Sequence, residues 1–275
     1  MKQKNLIRHG WIILLFILLV ACTTETKDEA MKATSDSNKA IELYKNAYEV
    51  AYGVLELEKA VSIYEKATIE DPNFFMAYYQ LATYHLYHKN TNDFIESATA
   101  GIGCQIELSK GEKIQKELLK EWLKHMGSDV SELGKQLVDQ YPNDPDAYLN
   151  LGFIYYLNKD YLNAIEVFEK AITMEDQGNL YCGPKLAVVP ICMLGYSYLI
   201  SDQLDKAKTS FDNYINQFPN DQNPYDCKAD YFMTTEDYDK AYVSYMTAYK
   251  IDTTYQVFHQ RAMNAKHLND SIQLK

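Results

Sequence analysis

Arginine is nearly missing from this chain. Of 27 Lys and Arg residues only Arg8 and Arg261 are arginines, set against 38 Asp and Glu and a formal net charge of −11. Nucleic acid demands clustered cations to neutralise its phosphates, so this composition argues against a nucleic-acid partner. The same surplus of carboxylates repels anionic lipid headgroups, and no basic patch can hold the chain to a membrane. Cysteine lacks pattern as well. Beyond Cys22 there are Cys104, Cys182, Cys192 and Cys227, whose spacing forms no disulfide framework and leaves three pairings open. No ligand spacing for a metal occurs: His85 and His88 are three apart, but no Cys, Asp or Glu completes a site with them at helical spacing. Gly101 and Gly103 lack the preceding strand and the further glycines that a phosphate-cradling loop requires. Cys182, beside Gly183 and Pro184, would need a histidine base, and His125 and His259 fall in remote segments. Paired carboxylates are plentiful, but on a chain this acidic they read as solvated helix faces. Neither an enzyme nor a cofactor is therefore expected.

What is present is an apolar beat. Gly152, Ala164, Phe168 and Ala171 recur in register as Gly195, Ala207, Phe211 and Tyr214, as Ala229, Ala241, Tyr245 and Ala248, and as Tyr48, Ala60, Tyr64 and Ala67, at intervals of 12, 4 and 3 residues each time. Small residues set against each other, with an aromatic one turn on, let two short antiparallel helices approach closely. Such a hairpin has an apolar face that it cannot bury alone, so copies must stack. Between 75 and 144 the beat is weak; Leu81, Ala82 and Pro142 fit, and two divergent copies are expected there. The pattern predicts an all-α solenoid of about six antiparallel helix pairs over 38–275, closed by a helix over 255–268 that carries Val257, Phe258, Met263 and Leu268 on a helical period.

These residues resemble the tetratricopeptide repeat family. The best copy, 188–221, has Leu194, Gly195 and Tyr198 on its first helix, Ala207 and Phe211 on its second, and Pro219 at its close. The copy at 145–178 has Asp176 in the closing position and that at 222–255 has Thr253, while 41–74 keeps Pro72 but carries Tyr48 for the first glycine. The resemblance implies a right-handed superhelix whose concave groove, lined by the first helix of each repeat, holds a protein or peptide partner. Carrying that geometry over places Tyr79 with Met76, Thr83 and Leu86; Leu149 with Phe153 and Tyr156; Tyr196 and Leu199 with Val189 and Cys192; and Asp226 and Asp230 with Met233. Glu42, Lys45 and Glu49 fall at the first end. A trough of this kind suits a segment that buries apolar side chains and presents lysine or arginine at its ends, unless neighbouring turns cover the aromatics. Cys192 and Cys227, on the first helices of adjacent copies, form a candidate disulfide, with two buried free thiols as the alternative. The longer spacing between 176 and 187 adds a loop at the groove rim, with Gly178, Gly183 and Pro184.

At the amino terminus Lys2, Lys4 and Arg8 precede an apolar run from Trp11 to Ala21. That run is too short to span a bilayer comfortably and reads as a secretion signal over 1–21. It ends in Leu19, Val20, Ala21 and Cys22, which resembles the bacterial lipobox. Cleavage before Cys22 would leave a lipidated cysteine, with each buried methylene contributing about 0.8 kcal/mol to anchoring. Residues 22–37, almost without apolar side chains, are expected to form a flexible tether. Lys27, Asp28 and Glu29 resemble the lysine-plus-acidic signal by which Bacteroidetes lipoproteins reach the cell surface, though there it lies closer to the cysteine. The combined expectation is a non-catalytic scaffold on the bacterial envelope, at the outer membrane, as in tetratricopeptide lipoproteins of outer-membrane assembly. A ligand-capture lipoprotein of a nutrient-uptake system is the alternative.

Overall fold

The computed structural model describes residues 30–53, 56–174 and 188–273. Among them are thirteen α-helices and no strand: α1 (Asn38–Gly53), α2 (Leu57–Glu70), α3 (Phe75–Tyr87), α4 (Thr91–Gly103), α5 (Lys110–Lys124), α6 (Ser131–Gln140), α7 (Pro145–Leu157), α8 (Tyr161–Met174), α9 (Val188–Ile200), α10 (Leu204–Gln217), α11 (Gln222–Thr234), α12 (Tyr238–Ile251) and α13 (Gln256–Gln273). Six consecutive hairpins stack in chain order and α13 covers the last. The molecule is a tetratricopeptide-like helical solenoid. The apolar run, Cys22 and the loop at 175–187 lie outside the described residues.

The two helices of a repeat differ in how they meet water. The second is amphipathic: α10 buries Ala207, Ser210, Phe211 and Tyr214, one stripe at i, i+3, i+4 and i+7. The first is enclosed on several sides, and α7 buries eight of its thirteen residues, Ala147, Leu151, Gly152 and Tyr155 among them. The junction between them explains the glycines. A Cβ on Gly152 would come within 3.0 Å of three ring carbons of Phe168, and one on Gly195 within 3.0 Å of three ring carbons of Phe211. Both rings are fully buried.

Four of the hairpins, α3–α4, α7–α8, α9–α10 and α11–α12, turn the same way. Lys89, Lys159, Asp202 and Glu236 adopt φ near +60°, and the next amide donates back to the carbonyl five residues earlier, as Asp160 N–H does to Tyr155 at 2.9 Å. The α3–α4 hairpin shares this turn through Lys89 and Asn90, so it is a full repeat in register. Its 12, 4, 3 positions are Ala82, Phe94, Ala98 and Gly101, so bulky Phe94 stands where α8 has Ala164. In α5–α6 the connection is longer; Gly134, fourth in α6 as Ala164 is in α8, faces Leu151 and Ile154 of α7.

The tether expected over 22–37 does not reach its carboxyl end. Met31 is buried among Leu137, Tyr141 and Ala147, and its N–H donates to Asp144 Oδ2 at 2.6 Å. Thr34 donates its N–H to Glu112 Oε1 at 2.8 Å and its hydroxyl to Oε2 at 2.7 Å. Ser35 and Asp36 donate to Asp71. Low apolar content predicted disorder, but one methionine and a row of backbone donors facing buried carboxylates fix the strand-like segment across three repeats.

Candidate functional site

All six first helices converge on one cavity of about 300 Å³. Tyr48 of α1, Tyr79 of α3, Gln115 of α5, Phe153 of α7, Tyr196 of α9 and Asp226 of α11 reach it. Among the described residues, eight tyrosines line it and no lysine or arginine does.

Of the expected groove residues, Tyr79, Leu149, Phe153, Tyr196 and Asp226 share this lining, whereas Tyr156, Leu199 and Asp230 do not. Tyr79 is buried, and its hydroxyl donates to Asn150 Oδ1 of α7 at 2.9 Å. Phe153 is half-buried with its ring edge-on to Phe168, centroids 6.0 Å apart. Tyr196 sits edge-on to Phe211 at 5.4 Å. Tyr156 packs beside Tyr161 at 5.5 Å instead, and Leu199 is buried. Glu42, Lys45 and Glu49 are exposed and face away from the cavity.

The contribution of α1 comes from Tyr44, Tyr48 and Tyr52, a stripe at i, i+4 and i+8 that the helical period places on one face. Its effect is to narrow the trough. Tyr52 packs on the apolar cluster that contains Cys192, donates to Gln80 Oε1 at 3.0 Å and stacks on Tyr48 at 4.2 Å. Tyr48 donates to Asp146 of α7, and α1 touches α9 directly. The open groove implied by the resemblance is thus a walled cavity, because the first repeat curls back onto the fourth and fifth.

The acidic end is also closed from within. Arg261 of α13 donates to Asp226 Oδ1 at 2.5 Å and to Asp230. Asp230 further accepts the hydroxyls of Tyr245 at 2.5 Å and Tyr196 at 2.7 Å, and the guanidinium lies 4.6 Å from the Tyr245 ring centroid. The carboxylates expected to greet a partner's lysine or arginine are already engaged by this chain's own arginine. Sequence separation of 31 and 35 residues hid the contact.

Burial dominates the electrostatics. It pushes the Asp226 carboxyl up to about 7, against the pull of Arg261 and with the charge of Asp230 adding to the rise. Burial likewise lifts Asp144 to about 6, opposed by the N–H groups of Met31 and Asp146. Tyr48 is raised well above the ordinary phenol value, first by burial and then by the charge of Asp146. The wall therefore offers neutral hydroxyls and ring faces, which suits recognition and supplies no activated nucleophile. Among the described residues no group of three or more His, Cys, Asp or Glu is placed to hold a metal, and no helix is long and apolar enough to cross a membrane. Cys192 and Cys227 both line the cavity, with their sulfurs 3.2 Å apart; Cys182 lies outside the described residues.

Two family models of the tetratricopeptide repeat match the sequence, one at residues 145–177 and one at 193–221. Among solved structures, yeast Tom70 is similar with 15% identity and a TM-score of 0.52, over 85% of this chain and 47% of that one. A chain of the anaphase-promoting complex hetero-tetramer Cut9-Hcn1 has 15% identity and a TM-score of 0.47, over 82% and 42%. YrrB, a tetratricopeptide repeat protein with an unusual peptide-binding site, has 16% identity and a TM-score of 0.37, over 83% and 96%. The chain thus spans less than half the length of the Tom70 and Cut9-Hcn1 chains. At 15% identity the likeness to Tom70 speaks for the fold alone. A search of the curated proteins finds no match.

Proposed function

We propose that this protein is a non-catalytic scaffold that seats part of a partner protein in its concave cavity, and that lipid on Cys22 anchors it to the bacterial outer membrane. The observation that carries the first half is the convergence of six first helices on one tyrosine-rich cavity. Tyrosine rings and neutral hydroxyls supply large contact area at low conformational cost and one polar handle each. The closed acidic end shifts the preferred partner away from a basic peptide and toward a side chain or short turn that is apolar or aromatic. Placement on the envelope rests on Lys2, Lys4, Arg8, the run from Trp11 to Ala21, and Cys22.

A photo-crosslinking amino acid substituted at Tyr196 in intact cells tests the scaffold reading. One or a few defined protein adducts, absent when the same amino acid replaces exposed Glu42, are expected. Adducts equal at both positions would refute a partner at the cavity, and a thermal shift produced by a small metabolite with no protein adduct would replace the scaffold by ligand capture. Anchoring is tested with Cys22→Ser, which should move the protein from the detergent-soluble membrane fraction to the aqueous one.

A further inference from the structure

We infer that Cys192 and Cys227 are joined by a disulfide in the mature protein, clamping α9 to α11 across the concave wall. Both side chains are buried in the same apolar cluster, and their sulfurs stand 3.2 Å apart. A disulfide needs about 2.05 Å, so closing the bond asks for a shift of roughly 1 Å, within the reach of small side-chain rotations. The two residues are 35 positions apart in sequence, on the first helices of adjacent repeats. Two reduced thiols in this place would share one weak S–H···S contact. A covalent link instead removes the entropy of a loop spanning the whole α9–α10 hairpin.

Chemistry favours a permanent clamp over a switch. Its neighbour's sulfur and burial push the Cys227 thiol well above its ordinary value, so the folded dithiol holds little thiolate to attack an oxidant. The bond therefore forms during folding, while the two thiols are still exposed, and in the folded protein it is buried on the cavity wall. In the reaction each thiol gives up its proton and one electron, an S–S bond forms, and the two electrons reduce a protein disulfide of the thiol-oxidase class to a dithiol. The envelope placement proposed above is needed for that oxidant and for nothing else in the inference.

The full chain, exported with its own leader, is alkylated under denaturing conditions without reductant and digested. The expected result is a linked pair of peptides containing Cys192 and Cys227, about 2 Da lighter than the two thiols, with neither cysteine alkylated. Reductant should lower the melting temperature by on the order of 5–10 °C. That sensitivity should vanish in Cys192→Ala/Cys227→Ala and persist in Cys104→Ala. Alkylation of both residues, or a link from either to Cys104 or Cys182, overturns the inference. Refolding the reduced full chain with oxidised glutathione separates the causes of failure. A link formed there but not in cells means that the compartment is wrong, and no link in either means that the two sulfurs do not meet.

Discussion

Gly152 and Gly195 are the residues on which helix approach depends. Alanine at a helix interior ordinarily gains about 1 kcal/mol over glycine, yet here its methyl would overlap a buried phenylalanine ring, and overpacking of this kind costs about 1–3 kcal/mol, a net loss of up to about 2 kcal/mol. Gly152→Ala should therefore destabilise the protein in denaturant titration, and Phe168→Leu in the same background should recover part of the loss. Equal or greater stability in Gly152→Ala would refute the interlock. Two buried carboxyls set the response to pH. Asp226 at about 7 and Asp144 at about 6 bind a proton more tightly folded than unfolded, so they favour the folded state below their usual values and that gain is lost as pH rises through 6 to 7. His85, lowered by burial, works in the opposite sense. Asp129, Asp212, Asp237 and Asp252 are held low, and their contribution disappears only as pH falls beneath the ordinary carboxylate range. Calorimetry should find a higher melting temperature at pH 5 than at pH 7.5, with a shallower gradient in Asp226→Asn. A melting temperature that climbs steadily from pH 5 to 7.5 would contradict this.

At the level of elements, how well the sequence reveals a hairpin depends on which side of the junction carries the bulk. Wherever glycine or alanine faces a ring, as at Gly195 and Phe211, period and size agree and the repeat is plain. In α3–α4 bulky Phe94 takes the place of the small Ala164 of α8, and in α5–α6 the connection is longer, so a search for the usual sizes at the usual intervals passes over both. The seating of α13 illustrates a different blind spot. A helix was expected there, but of its four named apolar residues only Phe258 is buried, Val257 and Met263 are exposed, and Ala262 and Ala265 seat it instead. The bonds of Arg261 to Asp226 and Asp230 were hidden as well, because charge complementarity across repeats leaves no mark in local sequence. Removing one partner of a buried ion pair costs about 3–5 kcal/mol. Arg261 retains about a third of its exposure, and solvent screening reduces the figure to about 1–3 kcal/mol. Arg261→Ala should raise amide hydrogen exchange in α13 well before that in α7 and α8. Uniform acceleration, or none, would mean that the arginine does not hold the cap.

For the whole molecule, the stacking order was legible and its curvature was not. Positions such as Tyr79, Leu149, Phe153 and Tyr196 follow from carrying the family's groove geometry onto the first helices, and they do share one cavity. That α1 folds over this cavity depends on long-range bonds such as Tyr48 to Asp146 and on Tyr52 reaching the cluster around Cys192, which no single repeat encodes. Phe153 and Tyr196 face the cavity and the core at once, since each ring also meets a buried phenylalanine. With the photo-crosslinking amino acid at position 196, Phe153→Ala should abolish adduct formation at the cavity and lower the melting temperature by several degrees, whereas Tyr156→Ala, outside the lining, should leave adducts intact. Loss of adducts in Tyr156→Ala would place the contact surface elsewhere on the rim.

The segment from Met31 to Ser37 has one more consequence, for distance. Because Met31 is pinned beneath the third and fourth repeats, only eight residues lie between it and Cys22, and the nine Cα steps reach at most about 32 Å when fully drawn out. A body moored by lipid at Cys22 would hang on a short leash and could not sweep far from the bilayer. Whatever it grips would have to come to the membrane surface to be gripped.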